Sequence, residues 1–479
     1  MLTQIDRLGQ EIAGCRGGEH ELRGIGAERK RELRDEFERV RSVLETCEPI
    51  DKGLCVPTSE FRRRQKATYA ALEEKGLDIG FVFSDEHYCG DVPYLGGNTN
   101  ITIEQVAGVV GRTGFHIVAG LEGGYVAEQL AARSESKVHK VELLKLADEN
   151  YPIEAEELGD VLREANDGRE VRNIGLLTPR QIVPASLTEY LSRMVGSKKL
   201  MDAQELYFRI KYEKSDEEMR LIRDASKIAN AMLKGMLAVL KPGMLETQIS
   251  AWGYFIGKEL GAEQNGFDII VGANDANRTL IGKALNRRIH EGDYVHLGVA
   301  PKRDGLTSCL RRSVVAVDDA SDLTPEQEYW FDFIEQAYNV GFKAYCKAAK
   351  ESLPAREVEV ALVEYFKSKT SDVNSRFGLH INDLSKLKPY TGTHNAGYTE
   401  CQEFYGAITL DSYELLPPQI VTMLDVAIRG IADYWDDVVI PGMDYLVVEN
   451  TLGKYGKEVL DFNKETPENV QSLVSTSIG

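Results

Sequence analysis

A histidine and two carboxylates in the second half of the chain have the makings of an acid–base site. His394 sits in Thr393-His394-Asn395-Ala396-Gly397, Asp425 in Thr422-Met423-Leu424-Asp425, and Glu449 in Val447-Val448-Glu449-Asn450-Thr451. An imidazole with an unperturbed pKa of about 6.5 exchanges protons around neutrality, and a polar loop containing glycine is a fit place for it. Cys309 and Cys401 are candidate partners for a thiolate–imidazole pair with His394, although a buried, inert thiol is the commoner state of a cysteine. Glu403, like Glu400, reads either as a substrate contact or as a solvated loop charge. Side chains two apart on a strand share a face, so Cys309 and Arg311 point together, as do His296 and Gly298. Arg311 can then pair with Asp425 or Glu449, or else decorate an exposed strand.

The elements that must hold these residues are legible in part. Residues 28–41 are rich in helix formers, with Leu33, Phe37, Val40 and Leu44 at helical spacing. They read as a helix packed on a neighbour or as a dimerisation arm. A helix over residues 60–75 ends at Gly76, and strands are expected at 79–83, 115–119, 141–146 and 173–177 with helical stretches between them. That alternation implies an α/β domain ending near residue 195. Ser215 followed three residues later by Glu218 is a capping box, and an apolar stripe from Met219 to Leu240 continues the helix to Lys241-Pro242-Gly243. The glycines at 120, 123 and 124 form no phosphate loop, because no GxxxxGK[ST] is present.

Composition narrows the partners. A formal net charge of −19 disfavours nucleic acid and anionic membrane surfaces, and no apolar run reaches the ~18 residues that span a bilayer. Seven scattered cysteines without a CxxC pair fit a reducing compartment. The expectation is a cytoplasmic protein with a small-molecule substrate, binding neither nucleic acid nor membrane.

Several short motifs occur in an order that resembles the creatinase/aminopeptidase P family. They are Arg209-Ile210-Lys211 with Glu217-Glu218-Met219-Arg220, Gly243-Met244-Leu245-Glu246, Gly292-Asp293-Tyr294-Val295, Asp304-Gly305-Leu306 with Arg312, and Pro417-Pro418-Gln419-Ile420-Val421. Glu73-Glu74-Lys75-Gly76-Leu77-Asp78 and Tyr94-Leu95-Gly96-Gly97 match the family's smaller domain less strongly. The resemblance implies an α/β N-terminal domain over 56–200 and an α+β pita-bread C-terminal domain over 205–479, assembled as a homodimer; the helical extension over residues 1–55 falls outside it. In metal-dependent members, two aspartates, a histidine and two glutamates hold a pair of divalent ions that activate water. Counted from Gly292-Asp293, the aspartates fall at Gly298 and Cys309, and the histidine is His394. The glutamates fall at Asp425 and Glu449. Losing two anionic oxygen ligands weakens a hard-ion pair, so neither metal nor other cofactor is expected. A single zinc on His394, Cys309 and a carboxylate remains chemically permissible.

Three readings follow. The first is a metal-independent, creatinase-like hydrolase of a C–N bond in a small guanidino, amide or amino-acid-like molecule. In it His394 and Glu449 are catalytic, while Asp425, Arg311, His296, Cys309, Cys401 and Glu403 contact the substrate. The second is a metal-dependent Xaa-Pro peptidase drawing its aspartates from Asp293 and Asp304. The third is a non-catalytic protein that binds a peptide or metabolite in the same cleft.

Overall fold

Short apolar runs separated by helices build the first large sheet. The computed structural model describes residues 26–101, 105–145, 154–273, 277–278, 280–317, 322–399 and 406–475. The sheet's strands are β1 (Ile79–Ser84), β2 (Val106–Gly111), β3 (Gly114–Ala119), β4 (Lys137–Lys140), β5 (Ile174–Leu176) and β6 (Leu200–Asp202), in the order β4-β3-β2-β1-β5-β6. It is mixed: β1, β2 and β3 pair antiparallel, while the outer pairings are parallel. Both faces are covered, one by a core around Phe61, Leu72 and Val110, the other by Phe81, Val109 and Leu162.

The expected helix over 60–75 spans Thr58–Glu74, and Gly76 follows with φ of 70°, where a glycine is the unstrained choice. The strand expected over 141–146 is not formed. Strand β4 lies just before it, and Glu142–Leu144 is a 3-10 turn. The physical reason is spacing: Val141 and Leu144 are three apart, and one tight turn buries both while Leu144 N donates to Val141 O.

The second half is organised by a sheet of β8 (Ile270–Gly272), β9 (Tyr294–Val299), β12 (Leu310–Val315), β13 (Thr393–Asn395), β14 (Gln419–Arg429), β15 (Tyr445–Tyr455) and β16 (Glu458–Asp461). Its order is β13-β14-β15-β12-β9-β8, with β16 also on β15, and every pairing is antiparallel. A small sheet of β7 (Gln264–Asn265), β10 (Pro301–Arg303) and β11 (Leu306–Thr307) lies beside it.

Helices cover one face of the large sheet in two pairs. Helices Asp216–Val239 and Glu246–Leu260 pack on Val295, Leu297, Leu310 and Val314; helices Pro325–Glu351 and Glu357–Phe377 pack on Leu424, Val426, Leu446 and Val448. Alternation then turns the odd-numbered residues of β14 and β15 to the opposite face. The N-terminal helix Ala27–Thr46 seats Val40 and Val43 in the first helix pair's core, and Glu36 accepts from Trp252 Nε1 at 2.8 Å. It packs on a neighbour, as the first of the two readings expects.

Buried ion pairs tie the halves together. Arg64 meets Glu218 at 3.3 Å and donates to Tyr398 at 2.9 Å, and Lys211 meets Asp91 at 2.5 Å. Among the described residues no helix is long and apolar enough to cross a membrane.

The capping box is formed as expected, with Ser215 Oγ accepting from Glu218 N and Glu218 Oε2 from Ser215 N. Ser215→Ala should therefore destabilise the chain by about 1 kcal/mol, read as a lower denaturation midpoint with unchanged far-UV circular dichroism.

Candidate active site

Backbone register brings the candidate residues into one row. Ile270 pairs with Gly298, Gly298 with Arg311, Arg311 with Glu449, and Glu449 with Asp425, crossing five strands in order. His394 lies opposite Met423 on the neighbouring edge strand. The row faces away from the helices, so its side chains meet over the sheet.

Arg311 is the centre of that meeting. It is 4% exposed, so the surface-strand reading fails. Its Nη1 donates to Asp425 Oδ2 at 3.1 Å, Glu449 Oε2 at 3.3 Å and Tyr390 Oη at 3.3 Å. Nη2 donates to Tyr445 Oη at 2.7 Å and the Leu280 carbonyl at 2.8 Å, and Nε to His296 Nε2 at 3.1 Å. A guanidinium has five N–H groups and no acceptor, and here they are directed to six protein acceptors. Arg311 therefore offsets one of the two carboxylate charges.

Because His296 Nε2 accepts, its ring carries the proton on Nδ1 and is neutral. Burial and the Arg311 charge both hold its pKa well below the ordinary value. The Tyr390 hydroxyl donates to Asp425 Oδ1 at 3.0 Å and bonds to the Tyr445 hydroxyl. Cys309 is buried, and its thiol bonds to Glu449.

The two carboxylates differ. Burial and the neighbouring Glu449 charge push Asp425 up to about 7, against the pull of Arg311 and His394. Burial also raises Glu449, but the His394 hydrogen bond and the Arg311 charge outweigh it and leave its pKa below the usual value. His394 is partly exposed, with Nε2 3.3 Å from Glu449 Oε1 and 4.0 Å from Asp425 Oδ2. Its Nδ1 lies 3.2 Å from the Asn395 carbonyl oxygen. Both ring nitrogens thus face acceptors, and a neutral imidazole has only one N–H to offer. The imidazole can therefore donate on either side and exchange a proton with the carboxylates. An exchangeable proton beside a half-open imidazole is the main chemical capability of this arrangement.

The pair of metal ions implied by the sequence resemblance does not fit these residues. A Cβ at Gly298 would lie 3.1 Å from Arg311 Cγ and 3.2 Å from Ile270 Cδ1, so a carboxylate there would crowd the Arg311 stem. Cys309 supplies no oxygen, and Arg311 Nη1 occupies the space between the two remaining carboxylates. Donor atoms of His394, Asp425 and Glu449 do lie within 4.8 Å of one another, a set with which one ion could be held only if Arg311 withdrew. Asp293 and Asp304 do not join the site. Asp293 accepts from His290 N at 2.6 Å, and Asp304 is bound by Arg133 and Val56 N.

Of the residues singled out from sequence, His394, Glu449, Asp425, Arg311, His296 and Cys309 come together; Cys401 and Glu403 lie outside the described residues. Tyr390 and Tyr445 were missed. Alternation offered Tyr445, four residues before Glu449 on one strand face, whereas nothing in sequence marked the loop residue Tyr390.

Residues 220–422 match metallopeptidase family M24. An uncharacterized peptidase of Bacillus subtilis is 23% identical over 302 residues, covering 61% of this chain and 82% of that protein. An Xaa-Pro dipeptidase of Pyrococcus horikoshii is 21% identical over 285 residues, 57% of this chain and 76% of the relative. Among solved structures, an X-Pro aminopeptidase of Thermotoga maritima superposes with a TM-score of 0.65 at 16% identity, covering 83% of this chain and 96% of that one. The Pyrococcus horikoshii prolidase gives 0.62 at 14%, covering 84% and 98%. The M24 match is confined to residues 220–422, and the chain has the pita-bread fold of these solved structures. Glycine and cysteine stand at two of the positions where the resemblance in sequence places metal ligands.

Two outcomes follow from the geometry. Gly298→Asp alone should lower the thermal midpoint without creating tight manganese or cobalt binding, because the new side chain meets Arg311; calorimetry with and without the ions checks both. Asp425 sets a pH dependence. Its pKa rises from 3.8 unfolded to about 7 folded, so the folded state binds the extra proton between these values. This contribution to stability is present below about pH 4 and is lost as pH rises to 7. Glu449 acts in the opposite sense only below its ordinary range. Asp425→Asn should flatten the fall in thermal midpoint between pH 4.5 and about 7.

Proposed function

We propose that this chain is a hydrolase that opens a C–N bond of a small polar molecule without a dinuclear metal centre. The observation that carries the reading is the Arg311 guanidinium donating to both Asp425 and Glu449 across the middle of the site. In this reading water's oxygen bonds to the substrate carbon and the C–N bond breaks with its electron pair passing to nitrogen. His394, partnered by Glu449, takes the proton from water and returns it to the leaving nitrogen. Asp425 holds Tyr390 and Arg311 in place, with a pKa near 7 that lets it share the proton.

An amide or amino-acid-like substrate suits the site better than a guanidinium. The carboxylates that would grip a substrate guanidinium already grip one from the chain. A second reading, an Xaa-Pro dipeptidase as two of the relatives are named, is favoured by the three-donor cluster of His394, Asp425 and Glu449.

The deciding experiment is a screen of amides, amino-acid derivatives and Xaa-Pro dipeptides, with and without a strong chelator. Chelator-insensitive turnover, reduced at least ~100-fold in His394→Gln and Arg311→Met, is expected. Turnover of Xaa-Pro dipeptides that a chelator abolishes and manganese or cobalt restores would overturn it. So would ligand-induced thermal stabilisation with no turnover of any compound, which marks a binding protein.

A further inference from the structure

The first sheet carries a second cluster of donor groups, remote in sequence from the site above. His116 on β3 and His139 on β4 stack with ring centroids 5.2 Å apart and 20° between planes. His116 Nδ1 lies 2.9 Å from His139 Nε2. The outer nitrogens of both rings are engaged. Thr113 Oγ1 lies 2.8 Å from His116 Nε2 and 3.0 Å from the Glu164 carbonyl oxygen, so when it donates its one hydrogen to that carbonyl it accepts from His116. His139 Nδ1 lies 2.8 Å from Glu156 Oε2, where it also donates.

With both N–H groups pointing outward, the two neutral rings turn one lone pair each to the inner contact, which is the arrangement a metal ion requires. With Thr113 donating to His116 instead, His116 donates to His139 and the rings need no ion. A third donor stands beside the pair. Donor atoms of His116, His139 and Glu164 lie within 4.8 Å of one another.

We propose that His116, His139 and Glu164 form a binding site for a zinc-class divalent cation, with water completing the coordination. Two imidazoles and a carboxylate are a zinc donor set with one open position. Thr113 and Glu156 stand at the outer nitrogens, where they can accept the hydrogen bonds that hold ligand histidines in the metal-binding tautomer. His116 is fully buried and His139 nearly so, whereas the Glu164 side chain is 41% exposed, so an ion enters from the Glu164 side. Its arrival displaces the Lys137 ammonium, which pairs with Glu164 and has open solvent beside it.

The test is zinc titration of the chelator-stripped full chain, with zinc per chain measured after removal of free ion and the visible absorption of cobalt as a second readout. Because the active-site cluster also offers three donors, the titration is repeated in His394→Gln. One zinc per chain is expected in wild type and His394→Gln, with affinity at least ~10-fold weaker in Glu164→Gln and none retained in His139→Gln. Glu164→Gln changes a half-exposed side chain, so its circular dichroism should match wild type. Absence of stoichiometric zinc from wild type would overturn the site, leaving a hydrogen bond between the rings. Zinc lost in His394→Gln but kept in Glu164→Gln and His139→Gln would overturn it equally.

Discussion

Two carboxylates buried side by side on adjacent strands cannot both stay ionised without a cation between them. Asp425 and Glu449 pair directly across β14 and β15, and neither has appreciable contact with solvent. In this fold that demand is met by Arg311, which sits opposite Glu449 in the same register and reaches both. Much else is arranged around the guanidinium. Gly298 leaves space for its stem, His296 is fixed as a neutral acceptor, and the two tyrosine hydroxyls close the hydrogen-bond circuit.

The sheet's other face supports the same strands. Arg312, the next residue along β12, points the opposite way and is fully buried. It donates to the carbonyls of Glu449, Thr466 and Pro467 and to Asn450 Oδ1. Burial holds its pKa below the usual arginine value, though at ordinary pH it remains a cation. Consecutive arginines thus do different jobs: one neutralises side-chain carboxylates and the other satisfies backbone acceptors. The alternation of a strand is what keeps the two charges on separate faces.

Much of this was readable from spacing. A period of two placed Cys309 with Arg311 and His296 with Gly298, and the pairing of Arg311 with the carboxylates followed from charge alone. The same rule would have delivered Tyr445 had it been run backwards from Glu449. Tyr390 was not legible, because its position depends on a loop that Glu359 and Lys388 hold in place from a distant helix. The protonation pattern was equally hidden, since it depends on which acceptors face each nitrogen of His394. Sequence also misread residues 141–146, where apolar residues three apart form a turn that a strand template takes for a fourth helix-flanked strand.

Arg311 gives the cluster a permanence that a bound ion lacks. A metal centre has an empty form and a filled form, with an affinity that links them to the surrounding supply. A guanidinium attached to the backbone cannot dissociate, and with a pKa held well above the ordinary arginine value it does not lose its charge either. The cationic part of the field felt by His394 is therefore installed when the chain folds and does not depend on the supply of any ion.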